Sequence, residues 1–135
     1  MKPYVLMLQA DEDDKSITES IVSEMHGVVP IRFVEQRDDL KAFIQATGIP
    51  AVFLINNQDH RHKAIELVRH LKADTELAHI PIVVLGEITT GEYMRQYYRA
   101  GTNTYITKPS SLEGTKRKIG LFFEYWFDAA EVQLQ

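Results

Sequence analysis

The chain contains no cysteine. Disulfides and thiolate chemistry are therefore closed to it, and the absence fits a cytosolic protein. No apolar run approaches the roughly 20 residues of a membrane span. The start, Met1-Lys2-Pro3-Tyr4, leads into a short apolar run from Val5 to Gln9 without the apolar region and small-residue cleavage site of a signal peptide. A cytoplasmic location with no membrane contact is expected. Basic charge is not in excess: 15 Lys and Arg face 19 Asp and Glu, giving a net charge of −4 with both signs interspersed. Nucleic-acid binding would require a basic face, so none is expected. Linkers, repeats and low-complexity segments are missing too, so residues 1–135 read as a single domain.

What is present is alternation. Val5-Leu6-Met7-Leu8 is a short apolar run of the kind that forms a strand buried on both faces. Asp11-Glu12-Asp13-Asp14 follows, and Ile17, Ile21 and Met25 recur at helical spacing, with Asp13 or Asp14 as cap and Gly27 as stop. Pro30 to Val34, Pro50 to Ile55, Ile80 to Leu85 and Thr104 to Ile106 read as four further strands. Leu40, Phe43 and Ile44 mark a second helix, and Ala64, Ile65, Val68 and Leu71 a third. Tyr93, Met94, Tyr97 and Tyr98 place a fourth helix closed by Gly101. Leu112, Ile119, Phe122, Phe123 and Trp126 form the stripe of a fifth. Five strands alternating with five helices predict an α/β fold with a doubly wound, five-stranded parallel sheet, which puts any ligand site at the carboxyl ends of the strands.

The residues at those ends carry a resemblance. Tyr105-Ile106-Thr107-Lys108-Pro109, the proline-led run Pro50-Ala51-Val52-Phe53-Leu54-Ile55 and the pair Ile80-Pro81 resemble the receiver domain of two-component response regulators, across essentially the whole chain and its flavodoxin-like fold. In that family an acidic pair after the first strand holds Mg²⁺, and an aspartate after the third accepts a phosphoryl group. A Ser or Thr after the fourth strand binds that group, an aromatic in the fifth reports on it, and a Lys-Pro step follows. The resemblance assigns Tyr105 as the aromatic, Lys108 as the lysine and Pro109 as its partner, with a cis bond expected between the last two.

Carried over position by position, the phosphorylation chemistry is missing. The acidic pair falls on Gln9 and Ala10, the phosphoacceptor on Asn56, and the Ser/Thr on Gly86. Mg²⁺ wants hard anionic oxygen ligands, and Gln9 offers a neutral one while Ala10 offers none. The amide of Asn56 is a very poor nucleophile and forms no acyl phosphate. Gly86 has no hydroxyl. Little or no Mg²⁺ binding and no other cofactor are expected, and Lys108 is left to hydrogen-bond Asn56 or nearby carbonyls, or to hold an anion.

The resemblance implies a stand-alone degenerate receiver, a protein-interaction module of phosphorelay signalling that is not phosphorylated at the usual position. Its partner would be a histidine kinase or another regulator. The chain ends within its last helix, so no output domain is expected. The alternative is a phosphorylatable receiver using Asp11 or Asp59 in a rebuilt pocket. In receivers the fourth helix, fifth strand and fifth helix form the face for partners and homodimers. Adjacent aromatics on a helix cannot all point inward, which makes Tyr97, Tyr98, Tyr125 and Phe127 candidate interface residues. No metal set is expected: His60 and His62 are two apart, not three or four, and His26, His70 and His79 are scattered. No nucleophile stands with a base and an orienting group, and the chain after Leu8 lacks a flavin-type phosphate loop, so no enzymatic activity is expected.

Overall fold

A computed structural model describes residues 4–8, 16, 18–20, 30–35, 37–57, 63–86, 90–108 and 111–129. Five parallel strands, β1 (Val5–Leu8), β2 (Ile31–Val34), β3 (Val52–Asn57), β4 (Ile82–Gly86) and β5 (Thr104–Thr107), form one sheet in the order β2-β1-β3-β4-β5. Residues 16 and 18–20 are helical and belong to the first helix, α1. Its expected caps, Asp13, Asp14 and Gly27, lie outside the described residues. The other helices are α2 (Leu40–Thr47), entered through a short 3₁₀ turn at Arg37–Asp39, α3 (Lys63–Ala73), α4 (Gly91–Ala100) and α5 (Leu112–Glu124). A single π turn, Tyr125–Ala129, extends α5. Among the described residues no helix is long and apolar enough to cross a membrane.

The continuous apolar runs are explained by burial on both faces. Alternate strand residues point to opposite sides of a sheet, and each side has its own core. Leu6, Phe53, Ile55, Ile82, Val84 and Tyr105 pack with Leu40, Ile44, Ile65, Val68, Leu71 and Tyr97 from α2, α3 and α4. Val5, Met7, Val52, Leu54, Val83 and Leu85 pack with Ile119, Phe122 and Phe123 of α5 and with Trp126. The chain enters the sheet at β1 near its middle, places β2 on one side and returns to the other with β3. That reversal fixes a crevice at the carboxyl ends, next to β1 and β3.

Three strands begin later than the sequence runs predict. Pro30, Pro50 and Pro81 have no N–H to give to a ladder, and the structure starts β2 at Ile31, β3 at Val52 and β4 at Ile82. The Pro81 carbonyl still accepts from the Phe53 N–H at 2.9 Å. At the other end β3 runs on through Asn56 and Asn57, paired with Leu85 and Gly86. Asn56 is thus a strand residue rather than a loop residue.

Leu112 is a correction to the expected stripe of α5: it is 60 % exposed at the first helical position, beside the Ser111 cap whose Oγ accepts from the Gly114 N–H at 3.0 Å. Trp126 is buried as expected, but in the π turn rather than in α5 itself. Helix ends are firmly specified elsewhere. Thr90 caps α4 by accepting from the Tyr93 N–H at 3.2 Å, and Gly101 closes it with φ 117°, a left-handed conformation that glycine adopts without strain. The turn between α3 and β4 is pinned by Lys72, whose Nζ donates to the carbonyls of Ala78 at 3.0 Å and Ile80 at 3.3 Å. Burial pushes the Lys72 ammonium below its ordinary pKa. The Tyr4 hydroxyl donates to the Gly48 carbonyl, tying the start of β1 to the end of α2. Burial pushes that phenol up to about 12, against a smaller opposing pull from Arg32.

Candidate functional site

The carboxyl ends of β3, β4 and β5 bring together Asn56, Gly86, Tyr105 and Lys108. Asn56 is half-buried opposite Leu85, and Gly86 stands beside Asn57 on one side and Thr107 on the other. The Lys108 N–H donates to the Gly86 carbonyl at 2.6 Å, so the backbone carrying the lysine is fastened to the end of β4. Of the remaining positions singled out in the sequence, Gln9, Ala10, Asp11, Asp59 and Pro109 lie outside the described residues, and with Pro109 its bond to Lys108.

Tyr105 decides how this end of the sheet is filled. Its ring is buried, 8 % exposed, and packs edge-on against Tyr97 with centroids 5.3 Å apart. Its hydroxyl reaches over Gly86: a Cβ built on that glycine would lie 1.9 Å from the oxygen. The phenol thus takes the volume that a side chain at position 86 would need.

Comparison with known proteins identifies the fold. The chain spans the whole of several solved response regulators. The phosphorylated cyanobacterial phytochrome response regulator RcpA superposes with a TM-score of 0.85 at 18% identity, over 99% of this chain and 100% of that one. A response regulator in red light signaling of R. palustris gives 0.84 at 19% identity, over 98% and 99%. The fold is that of a response-regulator receiver domain. In sequence, this receiver fold is 31% identical over 79 residues to the probable methanogenesis regulatory protein FilR2 of Methanothrix harundinacea, covering 58% of the chain and 51% of that protein. It is 32% identical over 62 residues to the chemotaxis protein CheY-3 of Vibrio cholerae, covering 46% and 48%. The chain spans about half the length of these curated relatives. No family model matches it.

The candidate interface of this receiver fold divides in two. Tyr97 is not available: it is fully buried, touching Tyr93 at 5.4 Å and Tyr105 at 5.3 Å. The correction has a geometric reason, since Tyr97 faces the sheet from α4 and its neighbour Tyr98 must then face away. Phe127 is half-buried, its ring stacked 6.0 Å from Phe123. Tyr98 and Tyr125 are exposed, at 47 % and 55 %.

Tyr98 has a structural task that its exposure hides. Its hydroxyl accepts from the Tyr105 N–H at 2.9 Å, and Lys118 of α5 donates to the Thr107 carbonyl at 2.6 Å. Among the described residues β5 pairs only with β4, and two of its backbone groups are satisfied by side chains from the flanking helices. The sequence held no signal for this use of Lys118, because both bonds depend on the tertiary placement of α4 and α5. Between β5 and α5 with its π turn runs a groove of about 480 Å³ lined by Thr104 to Thr107, Lys118, Leu121, Phe122, Tyr125 and Trp126. Tyr98→Phe should remove the acceptor and leave a part-buried N–H unpaired. The expected loss is about 1 kcal/mol of stability by urea denaturation; an unchanged midpoint would show that water replaces the hydroxyl.

Proposed function

We propose that this chain is a receiver domain of two-component signalling that acts as a protein-interaction module and is not phosphorylated at the end of β3. One observation carries the reading. The end of β3 holds the neutral amide of Asn56, half-buried opposite Leu85, and the next residue along β4, Gly86, has its side-chain volume taken by Tyr105. An acyl phosphate needs a carboxylate nucleophile, and a hydroxyl at position 86 would be needed to hold its oxygens.

The donor set does not fit Mg²⁺ either. Asn56 offers a neutral side-chain oxygen and Gly86 only its backbone carbonyl, which already accepts from the Lys108 N–H, whereas Mg²⁺ is held through carboxylates and waters in octahedral geometry. No phosphoryl step is therefore routed through this site, and no enzymatic activity is assigned. The partner is a protein such as a histidine kinase or another regulator, met in the cytoplasm. Contact falls on α4, β5 and α5, where Tyr98 is exposed on α4 and Tyr125 is exposed at the groove, and a homodimer would use the same face.

Incubation with acetyl phosphate and Mg²⁺ followed by intact-mass measurement should show no phosphoryl adduct. An adduct that survives in the wild type and disappears in Asp11→Asn or Asp59→Asn would replace this reading with a rebuilt phosphoacceptor site.

A further inference from the structure

We propose that Gly86 and Tyr105 form a steric lock that holds the Tyr105 ring permanently inside the domain, and that a side chain at position 86 would release it. Glycine in a strand needs a reason, because it weakens the strand relative to a residue with a side chain. Backbone conformation is not the reason here: among the described residues the glycines with positive φ are Gly48 and Gly101. Space is the reason. A Cβ on Gly86 would stand 1.9 Å from the Tyr105 hydroxyl oxygen, 2.5 Å from Cζ and 3.2 Å from Cε1, where ordinary contact begins at 3.4 Å.

The ring cannot yield by a small shift. Its edge rests on Tyr97, which is itself fully buried and held by Tyr93, hydroxyl to hydroxyl at 3.4 Å. The Tyr105 backbone is fixed from the other side, its N–H donating to the Tyr98 hydroxyl. Side chains move between staggered wells rather than by continuous sliding. With any larger residue at position 86 the ring must leave this well for one that points out of the core. Gly86 thereby sets one arrangement of β5 and α4 without any ligand.

The lock concerns the same end of the sheet as the proposed function but stands or falls separately, since its readouts are stability and ring environment rather than phosphorylation or binding. The experiment is a double-mutant cycle of Gly86→Ala and Tyr105→Ala, with tyrosine-ring NMR spectra in the presence of a soluble paramagnetic probe. In the wild type, the Tyr105 ring signals should be shifted by the Tyr97 ring and protected from the probe. Gly86→Ala should abolish that shift and protection, or lower the folding constant by at least about tenfold, the scale of an overpacked core. In the Tyr105→Ala background the same Gly86→Ala change should leave the folding constant unchanged or raise it. A Gly86→Ala protein that does not fold beside a double variant that does would also support the lock. Equal cost in both backgrounds, including failure of both to fold, would overturn it, as would a Gly86→Ala protein with unmoved ring signals and unchanged stability.

Discussion

Tyr97→Ala should cost about 3–5 kcal/mol, the range for deleting a large buried aromatic. That is a large part of the roughly 5–15 kcal/mol that holds a domain of this kind together. Tyr97 is fully enclosed, so its removal leaves a hole with walls on every side. Two of those walls are the rings of Tyr93 and Tyr105, which lose their edge contacts, and a third is the α3 side of the core through Ile65, Val68 and Leu71. The Tyr97 backbone carbonyl also accepts from the Thr102 N–H at 3.1 Å, so the turn into β5 hangs from the same residue. Burial, reinforced by the Tyr93 hydroxyl, holds the phenol well above its ordinary pKa. Tyr97→Phe, which keeps the ring and gives up one hydroxyl, should cost about 1 kcal/mol. Urea unfolding followed by circular dichroism compares the two. A Tyr97→Ala loss below that of Tyr97→Phe would mean that the site collapses around the cavity and that the ring cluster is not a unit.

Phe123→Ala should have a comparable effect on the opposite face, again about 3–5 kcal/mol. Phe123 packs edge-on to Phe122 at 5.1 Å and stacks on Phe127 at 6.0 Å, which joins α5 to the π turn beyond it. A built-in reporter makes the consequence visible. Trp126 is the only tryptophan in the chain and is 8 % exposed, in the same cluster. Its emission should shift to longer wavelength at urea concentrations where the wild type is still native. Loss of stability with unshifted native-state emission would indicate that α5 stays docked and that only the cavity is felt.

Much of the architecture was legible because the strands are buried on both faces. Val5 to Leu8 and Ile82 to Leu85 could hardly be placed elsewhere, and Gly48 and Gly101 close α2 and α4 with the positive φ that few other residues accept. The ends were less legible. Asn56 and Asn57 have low strand propensity, yet neighbours on β4 draw them into the ladder, which no local pattern announces. Leu112 fits the helical spacing of α5, but at the first helical position its side chain stays exposed beside the Ser111 cap. Tyr97 and Tyr98 look alike in sequence. Only the rotation of α4 on the sheet makes one a core residue and the other a cap for β5. The identity of the residues at the candidate site could be read directly, whereas the filling of Gly86's volume by Tyr105 could not, since it depends on a rotamer.

The two bonds that satisfy β5 have a consequence for how the molecule behaves at high concentration. An unpaired border strand is a template on which another chain can grow a sheet. At β5 such growth would first have to displace the Tyr98 hydroxyl and the charged Lys118 bond to Thr107. The other border, β2, carries Arg32 with its guanidinium on the Ile31 carbonyl, an exposed contact at 3.3 Å that water can replace. Loss of either bond at β5 should therefore make sheet extension through that border easier.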